Sequence, residues 1–287
     1  MTQPTARLYD LLEVEQLDTL LFRSPVTCSE LPHVYGGQVL AQALNAAIRT
    51  VPAERQIHSL HGYFLRAGDI DRPIIYDVDP IRDGGSFTTR RVVAKQKGKA
   101  IFNAALSFQI PEQGFEHQAP MPAVPPADSL VNDAEVVAEL RQAALQLPPR
   151  VDVFGAFETR TNGDLHILRS KSPEARHGYW IKTVNPLADD PVQHLSILAY
   201  ASDYVFMATA MIPHDIRFGR DNLQAASLDH AMWFHAPFRV DQWLYYDMES
   251  PVASGGRGLN FGRFYDQAGR LVASTAQEGL MRKRSAK

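Results

Sequence analysis

One cysteine, Cys28, is all that this chain of 287 residues carries. It can close no intrachain disulfide and assemble no thiolate metal cluster. Long apolar runs are missing too. No stretch approaches the ~18 consecutive apolar residues of a membrane helix, so no membrane span is expected. The N-terminal MTQPTARLYDLLEVEQ has no apolar centre of signal-peptide length, and the final SAK is not a peroxisomal address. Together these absences lead to the expectation of a soluble protein of a reducing cytoplasm. Nor is there an excess of positive charge. With 29 Lys and Arg against 32 Asp and Glu, the net charge is −3. No domain-wide basic field exists to neutralise phosphates, which excludes nucleic acid as a partner. The basic end, MRKRSAK, reads as a solvated tail. Neither H-E-x-x-H nor G-x-S-x-G occurs, so zinc hydrolysis and the serine nucleophile elbow are both without their motifs.

What is present begins with size. The chain is long for one domain and comfortable for two, and 45% hydrophobic residues suffice for a full core. A seam from Pro111 to Arg150 holds seven of the 19 prolines. Inside it, DSLVNDAEVVAELRQAALQL predicts a short helix capped by Asp128 or Ser129 and closed by Pro148–Pro149. The segments on either side resemble each other. HVYGGQVLAQALNAAIRT has helical periodicity. It is followed by strand signals from Ile57 to Gln109, broken at AGD, RDGGS and QKGK. In the second half, DDPVQHLSILAYASDYVFMATAM predicts one helix, capped by Asp190 with Pro191 in its first turn. Strand signals follow again. SLHGYFLRAG matches SLDHAMWFHAP, IIYDV…DGGSF matches LYYDM…SGGRG, and AKQKGKAI matches YDQAGRLV. The order and rough spacing indicate an internal duplication: one helix, then a meandering antiparallel sheet, made twice. The fold class is α+β. The units are 1–118 and 151–287, with 119–150 as a Pro-rich linker carrying the short helix. Edge-to-edge joining of the two sheets protects their edges, and remaining exposed edges suggest a homo-oligomer.

The segments HVYGGQVLAQAL, HSLHGYFLRAGD, PIIYDVDPIRDGGSFTTRRVVA, FEHQAPMP, LAYASDYVF, SLDHAMWFHAPF and VASTAQEGLMR stand in order along nearly the whole chain. Together they resemble the acyl-CoA thioesterase II family. The resemblance implies a double hotdog fold, each sheet wrapped around its long helix. It implies hydrolysis of acyl-CoA, with chains of medium to long length, to a free acid and CoA, without metal or other cofactor. Its catalytic residues are an Asp on the second-half helix, a Ser or Thr just before Asp-His, and a Gln near the C-terminus. Matched one by one, these fall on Asp203, Ser227 and Gln277.

The residues themselves are compatible with that assignment. Asp203 lies in a run that is otherwise apolar or small, YASDYVFMATAM, where an unpartnered carboxylate is costly. Desolvation raises the pKa of such an acid and makes it a better base near neutrality. Ser and Gln both donate and accept, so they can hold a water against it. Taken singly, each of the three is as easily a surface acid, a strand hydroxyl and a surface amide; only their combination favours catalysis. The matching depth of the first-half helix, near Asn45, offers an amide and no base, which implies one site per chain. Gly36–Gly37 suits either a substrate-facing helix N-terminus, with Gly37 as a binding residue, or close helix packing. His58 is a further candidate for the pocket. His61, His230 and His235 have no ligand spacing and read as structural. GGRGLNFG reads as a turn. Arg90, Arg91 and Lys95 read as alternating sheet-surface charges. Two alternatives stay open: a hotdog dehydratase, which would need a catalytic His in the pocket, and a non-catalytic acyl-CoA-binding module.

Overall fold

A computed structural model describes residues 3–27, 30–143, 147, 152, 154–165, 168, 171–216 and 223–283. Cys28, the prolines at 148 and 149 and the last four residues of the basic tail lie outside the described residues. The first half runs α1 (Pro4–Leu12), β1 (Glu15–Asp18), β2 (Leu21–Arg23), α2 (Gly36–Ile48), β3 (Gln56–Phe64), β4 (Ile75–Asp83), β5 (Phe87–Gln96) and β6 (Lys99–Gln109). The seam holds a 3₁₀ turn (Ala127–Ser129) and α3 (Asp133–Gln142). The second half runs β7 (Phe157–Thr161), β8 (Arg176–Thr183), α4 (Pro191–Ser202), a 3₁₀ helix (Phe206–His214), β9 (Leu223–Ser227), β10 (Asp229–Phe234), β11 (Leu244–Ser254), β12 (Arg257–Asp266) and β13 (Leu271–Lys283).

All strands join one antiparallel sheet, ordered β1-β2-β4-β5-β6-β3-β10-β13-β12-β11-β8-β7, with β9 beside β13. The order β2-β4-β5-β6-β3 repeats in the second half as β8-β11-β12-β13-β10, so the duplication is topological. The halves meet through β3 and β10, paired from Tyr63 with Asp229 to Ser59 with Trp233. The edge-to-edge joining expected from sequence is therefore present. β1, β2, β7 and β8 lie outside the segments whose sequence signals strands, although YWIKT in β8 carries the aromatic and β-branched signature. The GG of SGGRG makes the β11–β12 hairpin turn, with Gly255 and Gly256 both at positive φ (57° and 75°).

The central helices lie inside the molecule. Every residue from Gly37 to Ala47 is buried, and so is every residue from Ile197 to Ser202. The last turn of α4 meets the start of α2. The second helix departs from the sequence expectation, because it does not continue to Met211. It ends at Ser202, Asp203 is its C-cap, and Val205 turns the chain at φ 50° before the 3₁₀ helix begins. A run apolar on every side carries no periodicity that could mark this break. The same stretch, Pro191–His214, is long and apolar enough to cross a membrane by composition, yet 78% of its most apolar window is buried in the protein.

The seam is not an idle connection. Met121, Val124 and Leu130 pack with Ala127 against Trp180, Trp243 and Tyr245 on the second sheet. Trp180 Nε1 donates to Pro125 O at 2.9 Å, and Arg160 donates to the carbonyls of Ala127 and Leu130. The cap of α3 is Asn132, whose Oδ1 accepts from Ala134 N, and not Asp128 or Ser129, which belong to the preceding 3₁₀ turn. Arg90 also departs from expectation. It is buried, donates to Thr50 and pairs with Asp83 at 2.8 Å, while Arg91 and Lys95 pair with Asp79 and Asp77 at the surface.

Candidate active site

The site forms where α4 ends, and the carbonyls of its last turn are all satisfied. Ala199 O accepts from Ser202 Oγ, Tyr200 O from Tyr35 Oη, Ala201 O from Tyr204 N and Ser202 O from Tyr246 Oη. Burial raises the pKa of Tyr35 and Tyr246, which keeps both hydroxyls protonated as donors. Asp203 projects from this closed helix end toward the start of α2. Two glycines make that approach possible. A Cβ on Gly36 would lie 2.7 Å from Asp203 Oδ2, and one on Gly37 would collide with Tyr200 O. The Gly37 N–H is instead given to the Asp203 carboxylate. The first unit thus contributes a backbone donor at a helix N-terminus, a place that favours negative charge. The partner of Gly37 is the acid itself, and its neighbour Gly36 serves close approach.

Ser227 and Gln277 come from the sheet. Side chains alternate faces along a strand, so Ser227 and His230, three residues apart, should face opposite ways. A one-residue irregularity prevents this. Ser227 pairs with Gly279 in β13, whereas Ala231 pairs with Ala276. The extra residue lies at Leu228–Asp229, and Asp229 Oδ1 accepts the N–H of Glu278 at 2.7 Å. Asp229 therefore staples a bulge that turns both Ser227 and His230 inward. Gln277, opposite His230, faces the same way.

The three residues matched from sequence are brought together. Ser227 Oγ lies 3.5 Å from Asp203 Oδ1, Gln277 Nε2 lies 2.9 Å from Ser227 Oγ, and Gln277 also hydrogen-bonds Asp203. Gln277 is 1% exposed; Asp203 is largely surrounded by protein but keeps some access to solvent. Burial pushes the Asp203 pKa from 3.8 to about 7, against the opposing hydrogen bonds from Gln277, Gly37 and Ser227. A carboxyl so placed exchanges its proton near neutrality, which is what a general base requires.

Sequence reasoning passed over one member. His230 is fully buried, its Nδ1 is 2.5 Å from Gln277 Oε1 and its Nε2 is 3.0 Å from Ser202 Oγ. Phe206 packs edge-on against its ring at 5.9 Å. Burial lowers its pKa to about 4, although the Gln277 bond raises it, so the ring is neutral. The Asp-His pair of SLDH held the signal: one residue staples the bulge and the next reaches Gln277. His58 stands elsewhere. Its Nε2 is 2.8 Å from Ser107 Oγ and its ring meets Phe87 edge-on, and neither contact joins it to Asp203, Ser227 or Gln277. His61 packs on Trp233, and His235 bonds Ser274. Among the described residues no group of three or more His, Cys, Asp or Glu is placed to hold a metal.

Among the described residues the first unit has no such network. The α2 position matching Asp203, the C-cap, is Arg49 and not Asn45; its guanidinium donates to Val14 O. The pair matching His230 and Gln277 is Leu60 opposite Leu106, both buried.

Comparison with known proteins places the chain. Residues 164–280 match the acyl-CoA thioesterase family and residues 23–109 match the acyl-CoA thioesterase N-terminal domain. Acyl-CoA thioesterase 2 of Haemophilus influenzae is 39% identical over 279 residues, 96% of each chain. The chain belongs to the acyl-CoA thioesterase family. Human acyl-coenzyme A thioesterase 8 is 38% identical, over 95% of this chain and 88% of that one. The crystal structure of acyl-CoA thioesterase II TesB2 from Mycobacterium marinum superimposes with a TM-score of 0.81 at 42% identity, covering 97% of this chain and 99% of that one. A hot dog fold protein from Alicyclobacillus acidocaldarius, 19% identical, shares the fold at a TM-score of 0.79 over 99% of this chain and 100% of that one. The tandem arrangement seen here is thus the double hotdog expected of a thioesterase of this family.

Proposed function

We propose that Asp203, Ser227 and Gln277 activate the water that hydrolyses an acyl-CoA thioester to a free acid and CoA. Thioester hydrolysis is the activity of the family to which the chain belongs; the roles below are the reading its geometry supports best. Ser227 and Gln277 hold a water beside Asp203. The carboxylate takes one proton from it as the oxygen attacks the thioester carbonyl carbon. The carbon–sulfur bond then breaks, the acyl group leaves as the acid, and the CoA sulfur receives a proton. No covalent acyl-enzyme is needed, in keeping with a site whose base is a carboxylate and whose partners are a hydroxyl and an amide. The observation that carries this reading is the convergence of all three side chains, from three separate elements, on a carboxyl that titrates near neutrality.

A dehydratase would need a histidine that touches substrate and exchanges a proton. His230, the histidine bonded to Gln277, is fully buried and engaged at both ring nitrogens. Medium- to long-chain acyl-CoA remains the proposed substrate class. Free-thiol release measured across acyl chain lengths tests the function. Steady CoA release supports it; a hydrated or dehydrated acyl product, or saturable binding without turnover, overturns it.

A further inference from the structure

We infer that His230 is a positioning residue: as its neutral Nδ1–H tautomer it fixes the Gln277 amide so that the NH₂ group faces Asp203 and Ser227. The inference rests on the proposed trio. An ionised carboxylate only accepts hydrogen bonds. When Asp203 is the base, Gln277 must therefore turn Nε2 toward it and Oε1 away. Oε1 then faces His230 Nδ1 at 2.5 Å, and an amide oxygen can only accept. The proton must sit on Nδ1. In a neutral ring Nε2 is then bare, and the hydroxyl within reach is Ser202 Oγ at 3.0 Å. The single Ser202 proton is shared between that nitrogen and Ala199 O at 2.8 Å, a three-centre bond that keeps the carbonyl satisfied. Every donor from Ser202 through His230 and Gln277 to Ser227 thus points toward Asp203. With the other tautomer the amide turns over and presents its oxygen to the carboxylate, where two acceptors repel.

The duplication shows that the fold does not require this pair. At the matching place in the first unit, Leu60 stands opposite Leu106, both buried. The sheet closes over its helix equally well with leucines there. A buried histidine and a buried amide are costly unless fully bonded, so their presence in the catalytic unit alone points to a task there. The groups facing the site from the packed elements are Tyr35, Tyr179, Tyr200 and Tyr246, each held protonated by burial, so none competes with Asp203 for a proton near neutrality.

Two variants of the full chain test the inference. His230→Leu copies the first unit and removes the donor. Asn at the same place can donate from near the Nδ1 position. His230→Leu should lower kcat by about tenfold to a hundredfold at nearly constant KM, the scale of a small misplacement at a reacting centre. Because the Gln277 bond lowers the Asp203 pKa, loosening it should also move the acid limb of the pH–rate profile upward. His230→Asn should recover much of both. In a Gln277→Ala background, His230→Leu should cost little more, since it acts through that amide. Nitrogen NMR of wild type should show protonated Nδ1 and bare Nε2 at pH values near neutrality. An Nε2–H tautomer, an unmoved acid limb, or full additivity with Gln277→Ala overturns the positioning role. Those results leave the trio standing; turnover retained by Asp203→Asn would bring down the trio and this inference with it.

Discussion

Asp203→Asn should make the protein inactive and, above neutral pH, more stable. The substitution keeps the shape of the side chain and removes its charge. The carboxyl is driven from 3.8 to about 7 chiefly by burial. At about 1.4 kcal/mol for each pKa unit, that span sets a ceiling of roughly 4 kcal/mol on what the fold spends to hold the anion. Residual solvent access reduces this. So does the change of partners: the Asn amide would set an N–H against Gln277 Nε2. A net gain of about 2 kcal/mol is therefore expected once the wild-type residue is ionised. The folded protein binds this proton more tightly than the unfolded chain does. The contribution is thus fully present below pH ~4 and lost as pH rises through about 7. Urea unfolding of both proteins near pH ~5 and pH ~8.5 reads the effect directly. The curves should lie much closer together in acid than in base, where the Asn variant is the more stable. In the same preparations, thiol release should fall by about a hundredfold or more. Wild-type kcat/KM should rise through pH about 7 as the base ionises. An Asn variant that turns over at the wild-type rate, or loses stability in base as wild type does, would refute both the base assignment and the burial argument.

Ser227→Thr should remain active because the hydroxyl stays, whereas Ser227→Ala should lose about tenfold or more in kcat through poor water positioning; equal rates for the Ala variant would make Ser227 structural. Gly36→Ala should cut activity sharply, at some cost in stability, because its methyl would press on Asp203 Oδ2 and on the Phe64 ring; unchanged steady-state kinetics would show that the carboxylate has room. Asp229→Ala leaves the Glu278 N–H without its acceptor and should cost about 1–3 kcal/mol in denaturant unfolding, with lower turnover as the bulge relaxes; a variant as stable and active as wild type would remove the staple. Cutting the chain near Pro125 should expose Trp180 and Trp243 and give fragments that are insoluble or inactive alone, and titration with a tight non-hydrolysable acyl-CoA analogue should count one site per intact chain; an active second fragment or two equal sites would contradict the division of labour between the units.

Much of this was legible in the chain. The duplication followed from order and spacing, because each unit repeats the same helix and turn signals, and both are local. Asp203 stood out because a carboxylate in an apolar run demands an explanation, and family likeness matched Ser227 and Gln277 to it. What the sequence could not convey depends on groups brought from far apart. The end of α4 is set by hydroxyls of Tyr35 and Tyr246, which lie well over a hundred and over forty positions from the carbonyls they satisfy; no local pattern in an evenly apolar run marks it. Arg90 alternates like a surface charge, yet it is buried because Thr50 at the end of α2 receives it. His230 looked structural because its partner, Gln277, is 47 residues away and meets it only through the register of β10 and β13. Sequence determined the residues, their periodicity and the repeat. The tertiary structure decided which faces they share, since a bulge of one residue at Leu228–Asp229 is what turns Ser227 and His230 to the same side of the sheet.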